Sequence, residues 1–370
     1  MSNYSSTIST LSPLNAPFCQ GVSSLEFAPD QLGEGFGFHF IEMGKDPDKQ
    51  SPVRCTLVQY NPEGESDDGN FYSRPALLLV HGMTDYFFQA HVAQYFHSKG
   101  YAVYGLDMRK CGRSWREGQT WHHVTDQSLY DTDLTIASTL ITNSHPTVTL
   151  FGHSTGGLDV TMWSARLRRA SIDMPESSAA QLYSKLAGIV LNSPWFGLQF
   201  DAATKLVVTS IFPTLGKLSP SLRLPGGINP LYGKSLHSSQ QGEWNYNLEL
   251  KPLAPRPKFL PWINGVVREI RELQSGKYST GVPTLLLCSD THSFKKGRLT
   301  EDTYTSDVIL KPSQMREYAQ KANKNVEVAV IKDAVHDVFL SRPHVRAEAL
   351  ETTAEWLERH VKNHSVKDAH

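Results

Sequence analysis

Phe151-Gly152-His153-Ser154-Thr155-Gly156-Gly157 directly follows the apolar run 147–151 (TVTLF) and directly precedes a stretch, 156–170, with helical periodicity. G-x-S-x-G between a strand and a helix is the setting of a nucleophile elbow, in which a strained turn lifts a serine hydroxyl into the open. The flanking glycines have a steric task there, because main chain packs on main chain and leaves no room for a Cβ. The pattern alone recurs by chance. Its placement makes Ser154 the candidate nucleophile.

The surrounding chain predicts the architecture such a turn needs. Short apolar runs at 76–80, 101–106, 147–151, 186–192, 283–288 and 326–331 end in Gly or polar residues and alternate with helical stretches near 87–98, 126–142, 156–170, 312–322 and 344–361. Repeated βα units of this kind wind into a parallel sheet covered on both faces. Upstream, 36–43 and 53–60 flank a turn-like Gly-Lys-Asp-Pro-Asp-Lys and predict an antiparallel pair at the sheet edge. Residues 1–35, rich in Ser, Pro and Gly, are expected to form a tail that wraps over the body.

One interval breaks the rhythm. Residues 195–281 separate two successive strands and carry Pro, Leu and aromatics (Phe196, Phe200, Phe212, Trp244, Phe259, Trp262), ending in a helical pattern at 262–274. An insertion after a strand's carboxyl end lies above the ligand-binding edge of an open α/β sheet. The expected organisation is a tail (1–35), an α/β core (36–195 and 282–370) and a cap or lid (196–281).

A serine hydroxyl is barely ionised near neutral pH and needs a base and a group that orients the base. After the run 326–331 comes Lys332-Asp333-Ala334-Val335-His336-Asp337, which puts His336 in a loop on the same edge as the serine turn. His153, next to the serine, is expected to point away. Two carboxylates follow the run 283–288: Asp290 by position, and Asp307 by pattern, since Asp307-Val308-Ile309-Leu310-Lys311-Pro312 leads into a helix. Asp302 and Glu301 are weaker candidates. The expected oxyanion donors are the N–H of Thr155, where the helix dipole adds positive character, and that of Met83 in the turn His81-Gly82-Met83-Thr84-Asp85.

These residues carry a family resemblance. The chain resembles an α/β-hydrolase of the serine aminopeptidase S33 and monoacylglycerol lipase-like (lysophospholipase-like) group over roughly residues 50–362. The likeness lies in His81-Gly82-Met83, Gly105 to Ser114, Gly152 to Gly157, Asn192-Ser193-Pro194, Asp307 to Pro312 and His336-Asp337. It implies a mostly parallel eight-stranded sheet, the order serine, acid, histidine, and Met83 and Thr155 as oxyanion donors. It also favours Asp307 and makes 291–306 an insertion, while Asp290 stands where a shorter loop would place the acid. Arg109 and Arg113 are expected to brace loops through ion pairs, and Cys111 to be buried and inert.

Composition limits the chemistry and the partners. Thirty-six Lys and Arg against thirty-seven Asp and Glu leave a net charge of −1, with no electrostatic footprint for nucleic acid. The four cysteines (Cys19, Cys55, Cys111, Cys288) form no C-x-x-C pair, and unpaired thiols are expected. No signal-peptide pattern opens the sequence, so a cytoplasmic protein is expected. The stretch 206–215 falls short of the roughly 20 apolar residues needed to span a bilayer. A serine in the nucleophile position excludes the alkyl-enzyme esters that haloalkane dehalogenases and epoxide hydrolases form on a carboxylate. The expected function is a serine ester hydrolase acting on a small or lipid-like ester with an apolar acyl or aryl part, with no cofactor or metal. Other readings are an S33-type peptidase, a thioesterase, or a non-catalytic ligand-binding protein.

Overall fold

Buried on both faces, a parallel strand has no polar side to show, and the apolar runs become the strands of one sheet in the computed structural model. The structure describes residues 20–62, 70–199, 222–224, 230–254, 256–294 and 297–362, with Leu14, Ser210, Phe212 and Leu215 as single positions. In chain order the elements are β1 (Ala28–Pro29), β2 (Phe36–Gly44), β3 (Val53–Tyr60), β4 (Ala76–Val80), α1 (Ala90–Ser98), β5 (Ala102–Asp107), α2 (Tyr130–Thr142), β6 (Val148–His153) and α3 (Thr155–Asp173). There follow α4 (Ser178–Ser184), β7 (Leu186–Asn192), β8 (Arg223–Leu224), α5 (Pro230–Leu236), β9 (Lys258–Phe259), α6 (Leu260–Gln274), β10 (Thr284–Ser289), α7 (Pro312–Ala322), β11 (Val326–Ile331) and α8 (Pro343–Leu357).

The main sheet has nine strands in the order β1-β2-β3-β5-β4-β6-β7-β10-β11, and β8 pairs with β9 apart from it. From β5 to β11 all neighbours are parallel, and β1, β2 and β3 form an antiparallel edge against β5. The chain is thus an α/β protein with a mostly parallel sheet. Eight strands are those the sequence indicates. The ninth, β1, comes from the expected tail and takes the edge position given to 36–43; Val22 is buried there as well, and Asp30 reaches Arg113.

Alternation along each strand divides the core into two layers. Leu78, Val80, Tyr104 and Leu150 meet the buried faces of α2, α3, α6 and α7, whereas Leu77, Leu79, Val103 and Phe151 meet α1 and α8. Helix α6 belongs to the core layer through Trp262, Val266, Ile270 and Leu273. The sequence reading placed it within the cap. Strands β7 and β10 are adjacent and parallel, and the crossover between such a pair is usually a helix lying on one face. Phe200 and most of 206–215 lie outside the described residues. Among the described residues no helix is long and apolar enough to cross a membrane.

Candidate active site

Strand β6 ends at His153 and α3 begins at Thr155, so Ser154 alone makes the turn, at φ 54° and ψ −117°. Such a backbone in a non-glycine residue is held only by its surroundings. Here the Ser154 N–H donates to Asn192 O at 3.1 Å, and Ser154 O accepts from the N–H groups of Trp195 and Gly157. The glycines are required sterically. A Cβ on Gly156 would lie 2.3 Å from His81 O, and one on Gly152 would lie 2.7 Å from Gly157 Cα.

His336 follows β11 and reaches back across the sheet edge. Its Nε2 lies 3.0 Å from Ser154 Oγ and its Nδ1 lies 2.8 Å from Asp307 Oδ2. A carboxylate can only accept, so Nδ1 carries the ring proton and Nε2 is left to accept from the serine hydroxyl. Asp307 is wholly buried, and its Oδ1 accepts from the N–H groups of Ile309 and Leu310, both at 2.8 Å. The excursion 291–306 closes at its base, where the Asp307 N–H donates to Thr291 O and the Ser293 N–H to Asp307 O. That closure returns the chain to the end of β10. Asp290 is exposed and accepts from the Asp333 N–H at 3.0 Å, bracing the histidine loop from outside. Glu301 is exposed and pairs with Arg342.

His153 is not brought to the serine hydroxyl. Its Nδ1 bonds Asn192 O at 3.0 Å, its ring lies 4.9 Å from that of His336, and burial pushes its pKa down to about 4. Asp337, which the sequence reading quoted without a role, accepts from Asn192 Nδ2 at 2.6 Å, Gln89 Nε2 at 3.0 Å and the Phe339 N–H at 3.1 Å. Burial pushes its carboxyl up, but its interaction with His153, the bonds from Asn192 and Gln89 and the ammonium of Lys251 outweigh this and leave it below the usual carboxylate range. Asp337 is thus an anchor for the loop that carries His336.

The turn after β4 supplies the facing wall. His81 donates from Nδ1 to Gly82 O at 2.7 Å and accepts at Nε2 from the Met108 N–H at 3.1 Å. A Cβ on Gly82 would lie 3.0 Å from Ser154 Cβ, so the glycine lets this loop close on the serine. Met83 is half-buried beside it, and Thr155 is buried at the first position of α3. Ser154, His336 and Met83 line one cleft with Tyr232, Asp85 and Lys251. The sequence carries no sign of Tyr232 or Lys251 in this role, and shows Asp85 only as part of the turn after β4. Lys251 and Asp85 form a buried ion pair at 2.6 Å, and a partner 166 residues away leaves no local signal.

The two arginines of the segment after β5 have structural partners. Arg109 pairs with Asp133 at 2.7 Å, and Arg113 with Asp30 and Asp107 at 2.7 and 2.8 Å. Cys111 is buried, and burial pushes its thiol well up; Cys55 and Cys288 are buried and unpaired, while Cys19 lies outside the described residues. Among the described residues no group of three or more His, Cys, Asp or Glu could hold a metal ion.

Comparison with known proteins bears on the family and the fold. The profile of the family described as serine aminopeptidase, S33 matches residues 72–342. A monoacylglycerol lipase of Mycolicibacterium smegmatis is 31% identical over 152 residues, 40% of this chain and 47% of that protein. The chain thus spans about half the length of the curated relative it matches. Among solved structures, a monoacylglycerol lipase of Paleococcus ferrophilus aligns with a TM-score of 0.55 at 20% identity, over 78% of this chain and 96% of that one. A soluble variant of the monoglyceride lipase of Saccharomyces cerevisiae aligns with a TM-score of 0.59 at 15% identity, over 90% and 100%. At such identities these likenesses speak for the fold.

Proposed function

The chain belongs to the serine aminopeptidase S33 family, and from that premise we propose that it hydrolyses carboxylic esters through Ser154, His336 and Asp307, with the N–H groups of Met83 and Thr155 as oxyanion donors. The observation that carries this reading is the continuous relay Ser154 Oγ, His336, Asp307, with contacts of 3.0 and 2.8 Å, opening on a cavity.

The steps follow from the proton positions. His336 Nε2 takes the hydroxyl proton as Ser154 Oγ attacks the ester carbonyl carbon, and Asp307 stabilises the resulting imidazolium. The carbonyl oxygen becomes an oxyanion between the two N–H groups, each worth about 2.7–4 kcal/mol in the transition state. Collapse breaks the bond to the alcohol, which leaves with the proton from Nε2. Water then repeats the sequence on the acyl-serine, releasing the carboxylic acid and restoring the hydroxyl.

A lipid-like substrate, such as a monoacylglycerol, is supported by the apolar character of the interval and by the name of the Mycolicibacterium relative. In this reading the part of the interval before α6 serves as the cap. Free thiols at Cys55, Cys111 and Cys288 support a cytoplasmic setting. The peptidase reading has less support. Trimming N-termini asks for free carboxylates near the serine, yet Glu243 is engaged with Arg346, Glu249 is exposed, and Asp85 is neutralised by Lys251.

The test is a p-nitrophenyl ester series of increasing acyl length, beside an acyl thioester and an aminoacyl p-nitroanilide, with wild type and Ser154→Ala. Ester turnover that is lost in the variant is expected. Preferred cleavage of the anilide would refute the ester assignment.

A further inference from the structure

Residues 244–253, part of the interval between β7 and β10, are fastened to the loop that follows β4. Lys251 Nζ lies 2.6 Å from Asp85 Oδ2, with the two side chains 8% and 5% exposed. The same ammonium sits 4.8 Å over the ring of Phe88 and 5.6 Å over that of Tyr246. The second oxygen of Asp85 accepts from the Tyr86 N–H, and the Tyr86 hydroxyl accepts from the Asn247 N–H, both at 2.9 Å.

A buried ion pair costs desolvation and is weak evidence for stability by itself. The loop it touches has a specific need. Between Met83 and Asp85, Thr84 sits at φ 55°, a left-handed backbone in a β-branched residue, which persists only where neighbours over-determine it. One hold is the contact of the Thr84 hydroxyl with His122 Nδ1 at 3.3 Å. The other is the tie of the next residue, Asp85, to Lys251. Thr84 and Asp85, the two residues that follow Met83, are thus both held by side-chain contacts.

We propose that Lys251 is a positioning residue: by gripping Asp85 it keeps the strained 83–85 turn in the conformation that aims the Met83 N–H at the developing oxyanion. This rests on the reading of Met83 as an oxyanion donor. It follows that residues 244–253 are part of the catalytic apparatus and not a removable cover.

The experiment is steady-state hydrolysis of p-nitrophenyl butyrate by the full chain, comparing wild type with K251M, K251R and D85N, with a thermal melt of each. An interaction felt only in the transition state lowers kcat and leaves KM nearly alone, so K251M is expected to lose about 10- to 100-fold in kcat with KM within about 3-fold. K251R, which keeps the pair, should retain at least about a third of the wild-type kcat, and D85N should lose about 10-fold. Unchanged kcat in K251M, or a raised KM at constant kcat, overturns the proposal, the latter marking Lys251 as a wall of the substrate cavity. Should K251M not fold, equal kcat in K251R and D85N overturns it. Failure of the underlying reading looks different: wild type itself then neither turns over esters nor takes a fluorophosphonate label.

Discussion

Replacing Asp307 by Asn exchanges one buried carboxylate oxygen for an amide nitrogen where the side chain meets His336. The two ends of the carboxylate are not equivalent. Oδ1 accepts from the N–H groups of Ile309 and Leu310 at 2.8 Å each, which obliges the amide to keep its oxygen there and turn its NH₂ towards His336 Nδ1. The imidazole must then accept at Nδ1 and carry its proton on Nε2, so it offers Ser154 Oγ a donor and can no longer take the hydroxyl proton. In serine protease triads this change lowers kcat by about 10⁴. The same loss here corresponds to about 5.5 kcal/mol of barrier. Folding should suffer little, about 1–2 kcal/mol, because both backbone hydrogen bonds survive. Asp290→Asn is the control: its exposed oxygen can still accept from the Asp333 N–H, and a surface change of about 0.5 kcal/mol is a factor of about two. The assay is p-nitrophenyl butyrate hydrolysis near neutral pH, with circular dichroism to confirm folding. Equal losses in the two variants, or the larger loss in Asp290→Asn, would remove Asp307 from the triad.

Other expected outcomes follow from single contacts. Gly82→Ala places a Cβ 3.0 Å from Ser154 Cβ and should cost activity with little change in melting, whereas Gly156→Ala drives a Cβ to 2.3 Å from a backbone oxygen and should destabilise by more than about 2 kcal/mol; thermal melts beside kcat separate the two. Arg113→Met strands the buried carboxylates of Asp30 and Asp107 and should cost about 3–5 kcal/mol in urea unfolding. His145, buried between Tyr104 and Arg74 O, has its pKa lowered by burial to about 4. The unfolded chain therefore binds a proton at this site that the folded chain refuses, and its stabilisation, complete above the unfolded pKa of about 6.5, is lost as pH falls towards 4. From pH 7 to pH 5 wild type should lose about 2 kcal/mol more than His145→Gln in urea titrations, and equal losses would rule this out.

Most of the fold was legible in the sequence because parallel strands buried on both faces are written as unbroken apolar runs, as in 76–80 and 147–151. Strand β1 was not legible, since two residues carry no periodicity and exist as a strand only through their register with β2. The amphipathic pattern of α6 announced a helix but not the body it packs on, which the adjacency of β7 and β10 decides. Of the site, Ser154 and His336 were read from their places after strands. Choosing between Asp307 and Asp290 depends on how the 291–306 excursion closes, a tertiary event that the local sequence does not encode. The pairs Lys251 with Asp85 and Asp337 with Gln89 join residues 166 and 248 positions apart, and only the folded chain brings them together.

Everything proposed for this site turns on Ser154 being the nucleophile of a serine ester hydrolase. It is tested most directly by treating the folded protein with a fluorophosphonate and mapping the adduct by mass spectrometry while following p-nitrophenyl ester turnover. One adduct is expected, on the peptide containing Ser154, with labelling and turnover both lost in Ser154→Ala. Turnover that persists in that variant, or an adduct on another residue that tracks the loss of activity, would contradict it.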